Sequence, residues 1–189
     1  MNVWGWVWDA KSELEEQGHV ELKGYMDRMP SDTCDGRHDL VDSYADEAIG
    51  MAKELNIGWV ELFLRHWKLQ SHVLHRAKPE AMLKEAVHLL EFSSRDENKD
   101  CPQSVCAVQD LTSCYGCIDG PGYFEERIAV AEETLERINP DWDCYACIAT
   151  EYASALLDDG QIDQCIEYLS LIHISSPRDQ RGSRMPSSA

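Results

Sequence analysis

Residues 145–169 read YACIATEYASALLDDGQIDQCIEYL, and this stretch decides the fold. Ala149, Tyr152, Ala153 and Leu156 recur at the spacing of one helix face. Asp158, Asp159 and Gly160 then break the pattern with turn chemistry. Ile162, Cys165 and Leu169 resume it at helical spacing. The stretch is therefore a pair of helices, 143–158 and 161–169, joined by a tight turn.

The same grammar extends toward the N-terminus. Apolar positions at Trp4, Val7, Trp8, Leu14, Leu22, Tyr25 and Met29 form one helical stripe over 3–29, and residues 30–36 read as a loop that opens on Pro30. Further helices are expected at 39–55, 59–76, from Pro79 to about Phe92, at 103–118 and at 123–138. Pro79 fits a first helical turn. The breaks fall at Asn56 with Gly58, at the polar segment 93–102, at Asp119-Gly-Pro-Gly122 and at Asn139-Pro140. Eight helices and no convincing strand result. The second helix of each successive pair carries Ala48, Ala86, Arg127 or Cys165 in a similar place, at intervals near forty residues. A fixed period of that size with two helices per unit is the mark of an α-solenoid, in which no unit buries its apolar faces alone.

The run Ala149-x-x-Tyr152-Ala153-x-x-Leu156-x-x-x-Gly160-x-Ile162-x-x-Cys165-x-x-x-Leu169 resembles a tetratricopeptide repeat. Asn139-Pro140 stands where that family often places its closing proline. Two features depart from the family: the period exceeds the usual thirty-four or so residues, and Arg127 stands where a small residue is usual. The resemblance implies an all-α, right-handed solenoid of about four antiparallel helix pairs over residues 1–169. It also implies a non-enzymatic scaffold that holds a protein or peptide in a concave groove lined by first-helix side chains, with no cofactor.

Residues 170–189, SLIHISSPRDQRGSRMPSSA, differ in composition. Six Ser and two Pro in twenty residues argue against a packed helix. The string resembles translated sequencing-adapter read-through, which would place the native break near Leu169; a disordered tail is the alternative.

Charge narrows the function classes. The chain holds 35 Asp and Glu against 17 Lys and Arg, a formal net charge of −18. Nucleic acid needs a basic surface, and an anionic membrane repels an acidic one. No apolar run is long enough to span a bilayer, and the N-terminal segment lacks a basic leader, so a cytoplasmic location is expected.

Within this acidic chain residues 65–76, RHWKLQSHVLHR, are the one basic stretch. At helical spacing Arg65, Lys68, His72 and His75 share a face, with Arg76 beside it. Val60, Phe63, Leu64, Trp67 and Leu74 form a second face, and Leu62, Leu69 and Val73 a third. An inner solenoid helix needs two apolar faces, one for its own partner and one for its neighbour. The basic stripe is then the groove wall, suited to a carboxylate or an acidic segment; the plainer alternative is that it pairs with surrounding Asp and Glu. Thr150 and Ser154 are the corresponding candidates in the last pair.

Eight cysteines offer the rival chemistry. Cys114-Tyr-Gly-Cys117 and Cys144-Tyr-Ala-Cys147 form two CxxC pairs, a weak pattern for tetrahedral zinc. Each pair falls within a helix and at a different level of the stack, so small buried hydrophobes are the simpler reading. No βαβ pattern supports a redox role. His38-Asp39 alone specifies nothing, and no phosphate-binding loop or nucleophile elbow occurs. A regulatory piece of a larger protein is a further alternative.

Overall fold

The computed structural model describes residues 3–74, 79–98, 101, 106–111, 114, 123–141 and 145–175. Among them every regular element is helical. The bounded helices are α1 (Val3–Glu16), α2 (Val20–Cys34), α3 (His38–Glu54), α4 (Gly58–Leu74), α5 (Pro79–Ser93), α6 (Phe124–Arg137), α7 (Tyr145–Asp158) and α8 (Ile162–Ser175). Residues 106–111 are helical as well.

Four helix ends share one construction. His19 N–H reaches Leu14 O at 2.8 Å and Gly18 N–H reaches Glu15 O at 3.0 Å, with Gly18 at φ +84°. The same two bonds close α2 at Gly36, α3 at Asn56 and α7 at Gly160. A left-handed residue is needed at each, and glycine or asparagine adopts it most readily.

Two corrections concern α1 and α2. The stripe over 3–29 is two helices, divided by the left-handed cap at Gly18, across which the apolar spacing stays in phase. Pro30 also does not start a loop; α2 runs through it to Cys34. Proline inside a helix forfeits one backbone bond and ordinarily costs about 3 kcal/mol. Contacts beyond it offset that cost. The Tyr44 hydroxyl donates to buried Asp32 at 2.8 Å, and Thr33 Oγ1 donates to Trp67 O at 3.3 Å. Burial and the Asp32 carboxylate together push the Tyr44 hydroxyl up to about 12.

A third difference is at the other end. α8 continues past Leu169 to Ser175, so residues 170–175 are helical despite their serines. The segment Leu-Ile-His-Ile is apolar enough to extend the α8 pattern. Residues 176–189, and with them most of the expected non-native tail, lie outside the described residues.

Sequence-adjacent helices pack on one another from α1 to α5 and from α6 to α8, and α2 also packs on α4. The core is a succession of three clusters. Val7, Leu14, Leu22, Met26, Met29, Val41, Tyr44, Phe63 and their neighbours form the first, from α1 to α4. Leu62, Leu69, Ala86, Leu89, Phe92, Ala107 and Leu111 form the second. Val108, Ala131, Ile148, Tyr152, Leu156 and Cys165 form the third. Trp6 and Trp59, edge to face at 5.0 Å, border both the first and the second. Leu90 and Val130 border both the second and the third.

The positions spaced near forty residues apart are all buried: Ala48, Ala86, Arg127 and Cys165. Cys165 Sγ donates to Ala153 O at 3.4 Å across the α7–α8 contact. Arg127 fits where a small residue was expected because its guanidinium crosses to α7, meeting Asp158 at 2.7 Å and Ser154 Oγ at 3.4 Å.

Gly58, the first residue of α4, sits against Asn98. That side chain is buried and donates to Phe92 O at 3.0 Å, tying the end of α5 to the start of α4. A Cβ on Gly58 would lie 2.4 Å from Asn98 Oδ1. Gly58→Ala is therefore expected to cost about 1–3 kcal/mol and to lower Tm in a thermal melt. A Tm equal to that of the parent chain would show that Asn98 moves aside freely.

Candidate functional site

α4 carries the candidate site, and its faces divide as its spacing predicts. Val60, Phe63 and Leu64 enter the first cluster with Trp67 packed against them. Leu62 and Leu69 enter the second, with Val73 beside them. The remaining stripe holds Arg65, Lys68 and His72.

Each of those side chains meets a carboxylate. Arg65, whose side chain is only 11% exposed, bonds Glu61 one turn earlier at 2.8 Å and Glu85 on α5. His72 is buried, and its Nε2 lies 2.6 Å from Asp42 on α3. Lys68 pairs with Asp46 at 2.8 Å, but Asp46 is 84% exposed. An ion pair so open to water is worth about 0–1 kcal/mol. Lys68 can exchange Asp46 for a ligand carboxylate at little cost, whereas Arg65 and His72 are structural ties from α4 to its neighbours. His75 and Arg76 lie outside the described residues.

A groove of about 400 Å³ opens between α4 and α5. Leu69 and Met82 supply its apolar surface, and Lys68, Lys84, Glu85 and His88 its polar one. Glu85 is engaged by Arg65. Among the described residues Lys84 makes no ion pair, and His88 stacks on Phe92 with ring centroids 6.5 Å apart. The mouth thus presents two ammonium groups and an imidazole above an aliphatic patch. Lys84 and His88 were not singled out from the sequence. Their signal is their i, i+4 spacing on the helix that packs against the basic one.

A polar cluster on α4 also escaped sequence reading. Asp110 is fully buried, and its two carboxylate oxygens are held separately, one by His66 Nδ1 at 2.7 Å and the other by Gln70 Nε2. His66 and Gln70 are one turn apart on α4, and both are buried. Asp110 is the only carboxylate in the largely apolar run 105–111, a clue that it is paired inside.

The other candidates are dispersed. Thr150 is exposed and returns its hydroxyl to Ala146 O at 2.8 Å. Ser154 is exposed and accepts from Arg127. Cys114 is buried in the second cluster, and Cys147 on α7 is half-buried. Cys117 and Cys144, the other half of the two CxxC pairs, lie outside the described residues. Among those described, no three His, Cys, Asp or Glu side chains are grouped to hold a metal ion. No described helix is long and apolar enough to cross a membrane. No family model, no curated protein and no solved structure matches this chain.

Proposed function

We propose that the chain is a right-handed solenoid of about four helix pairs, tetratricopeptide-like in construction, and that it acts as a non-enzymatic scaffold. In this reading it binds an acidic peptide segment in the groove between α4 and α5, the first and second helices of one pair, and not in a concave groove lined by first-helix side chains alone. The architecture is supported by the burial of Ala48, Ala86, Arg127 and Cys165 at a regular interval and by the contact of α2 with α4, which are successive first helices in such a stack.

The observation that carries the function is the groove itself. Lys68, Lys84 and His88 stand around Leu69 and Met82 in a space of about 400 Å³, room for an aliphatic side chain flanked by carboxylates. Charge sets orientation and rate, and the aliphatic contact adds affinity.

The test is binding of short synthetic peptides with Asp or Glu on either side of Leu or Met. Lys68→Glu together with Lys84→Glu is expected to weaken binding at least tenfold, about 1.4 kcal/mol, with helicity unchanged. Arg65 is unsuitable for this purpose, because reversing its charge would place a third carboxylate beside Glu61 and Glu85. Equal binding by the double variant, or no binding by any peptide of the set, retires the groove.

A further inference from the structure

The strongest unassigned surface is on α8. Cys165 is buried on the α7 side of this helix, with Tyr168 packed edge to face on Tyr152 at 4.7 Å. The adjoining face holds Ile162, Ile166 and Leu169 at i, i+4 and i+7. These side chains are 54%, 58% and 41% exposed. Three large aliphatic residues in one exposed row mark a contact surface rather than scattered surface apolarity.

The charge around that row is of one sign. From Ile138 to Leu171 the chain has seven Asp and Glu and no Lys, Arg or His. Asp163 and Glu167 each follow a stripe residue by one position, so they run along one edge of the stripe, and both are exposed. Asp159, in the turn before α8, is exposed as well.

We propose that this face docks an amphipathic helix of another protein, one with an apolar row at the same i, i+4, i+7 spacing and with Lys or Arg along its flanks. Helix-on-helix docking of this kind reads such anchors directly. The acidic edge selects a basic partner by steering and by repelling acidic ones. A second copy of this chain fits poorly, because it would set Asp163 and Glu167 against carboxylates in a molecule of net charge −18. Residues 176–189 fit poorly too, since Met185 is their one large apolar residue. The surface is distinct from the groove between α4 and α5.

The test uses the full chain and a fluorescein-labelled helical peptide with Leu at i, i+4 and i+7 and Lys elsewhere, followed by fluorescence anisotropy. A matching peptide with Glu in place of Lys is the control. The Leu/Lys peptide is expected to bind and the Leu/Glu peptide to fail. Ile166→Asp should weaken binding about tenfold even though it makes the surface more acidic. Ile162→Asp, which places an acid in the first turn where the helix dipole favours it, should do the same with α8 intact by circular dichroism. Leu40→Asp, at an exposed leucine on α3, should change nothing. Equal or tighter binding by both α8 variants would show that charge alone holds the peptide and would overturn the proposal. So would equal binding of the two peptides, a matching loss in Leu40→Asp, or a dimer in sedimentation velocity that Ile166→Asp dissociates.

Discussion

Replacing Asp110 by alanine is expected to lower the unfolding free energy by about 3–5 kcal/mol, because it breaks a buried charge-assisted pair and leaves its partners unmatched. His66 and Gln70 both donate to this one carboxylate, which water does not reach. Each donor left unsatisfied costs about 1–3 kcal/mol, so the two routes to the figure agree. The contrast is Asp46→Ala, which removes the exposed partner of Lys68 and is expected to stay within about 1 kcal/mol. Urea unfolding of both variants makes the comparison. Removing His66 and Asp110 together should cost less than the sum of the single losses, since neither is then stranded. A single Asp110→Ala loss below about 1 kcal/mol would mean that the site admits water or rearranges.

Phe63→Ala is the second large effect, expected at about 3–5 kcal/mol from lost burial and the cavity left behind. Phe63 is fully buried in the first cluster beside Trp67. The loss should not spread evenly. Trp6, Trp59 and Trp67 pack on that cluster, and five of the six tryptophans precede residue 68, so tryptophan fluorescence is weighted toward this end of the chain. In urea the fluorescence midpoint is expected to fall further than the far-UV midpoint, which averages over all helices. Coincident midpoints shifted by the same amount would show one cooperative core instead of a succession of clusters.

What sequence reading captured was periodic and local. The assignment of Val60, Phe63 and Leu64 to one face of α4 and of Leu62 and Leu69 to another needed only helical geometry. It missed the break at Gly18 because a short left-handed cap leaves the apolar phase undisturbed. It misread Pro30 because helix signals are local, whereas Tyr44 and the Trp67 carbonyl, which hold the residues beyond it, come from other helices. The basic stripe was legible as a stripe. Its pairing with surrounding carboxylates was legible too, as the plainer alternative; which carboxylates was not, because Asp42, Asp46 and Glu85 are brought opposite it by α3 and α5. His66 and Asp110 are 44 residues apart, and no spacing rule links them. The groove likewise exists only once α5 lies beside α4.

The hand-over of the core from cluster to cluster has a mechanical consequence. The first junction is thick, since α4 itself buries large side chains on both sides of it. Among the described residues the second rests on smaller side chains: Ala107 and Val108, neighbours in the helical residues 106–111, belong to different clusters, and Leu90 and Val130 bridge between them. Pulled from its two ends, such a molecule yields in instalments. The portion from α6 to α8 is expected to part first, with the portion around α4 resisting longer.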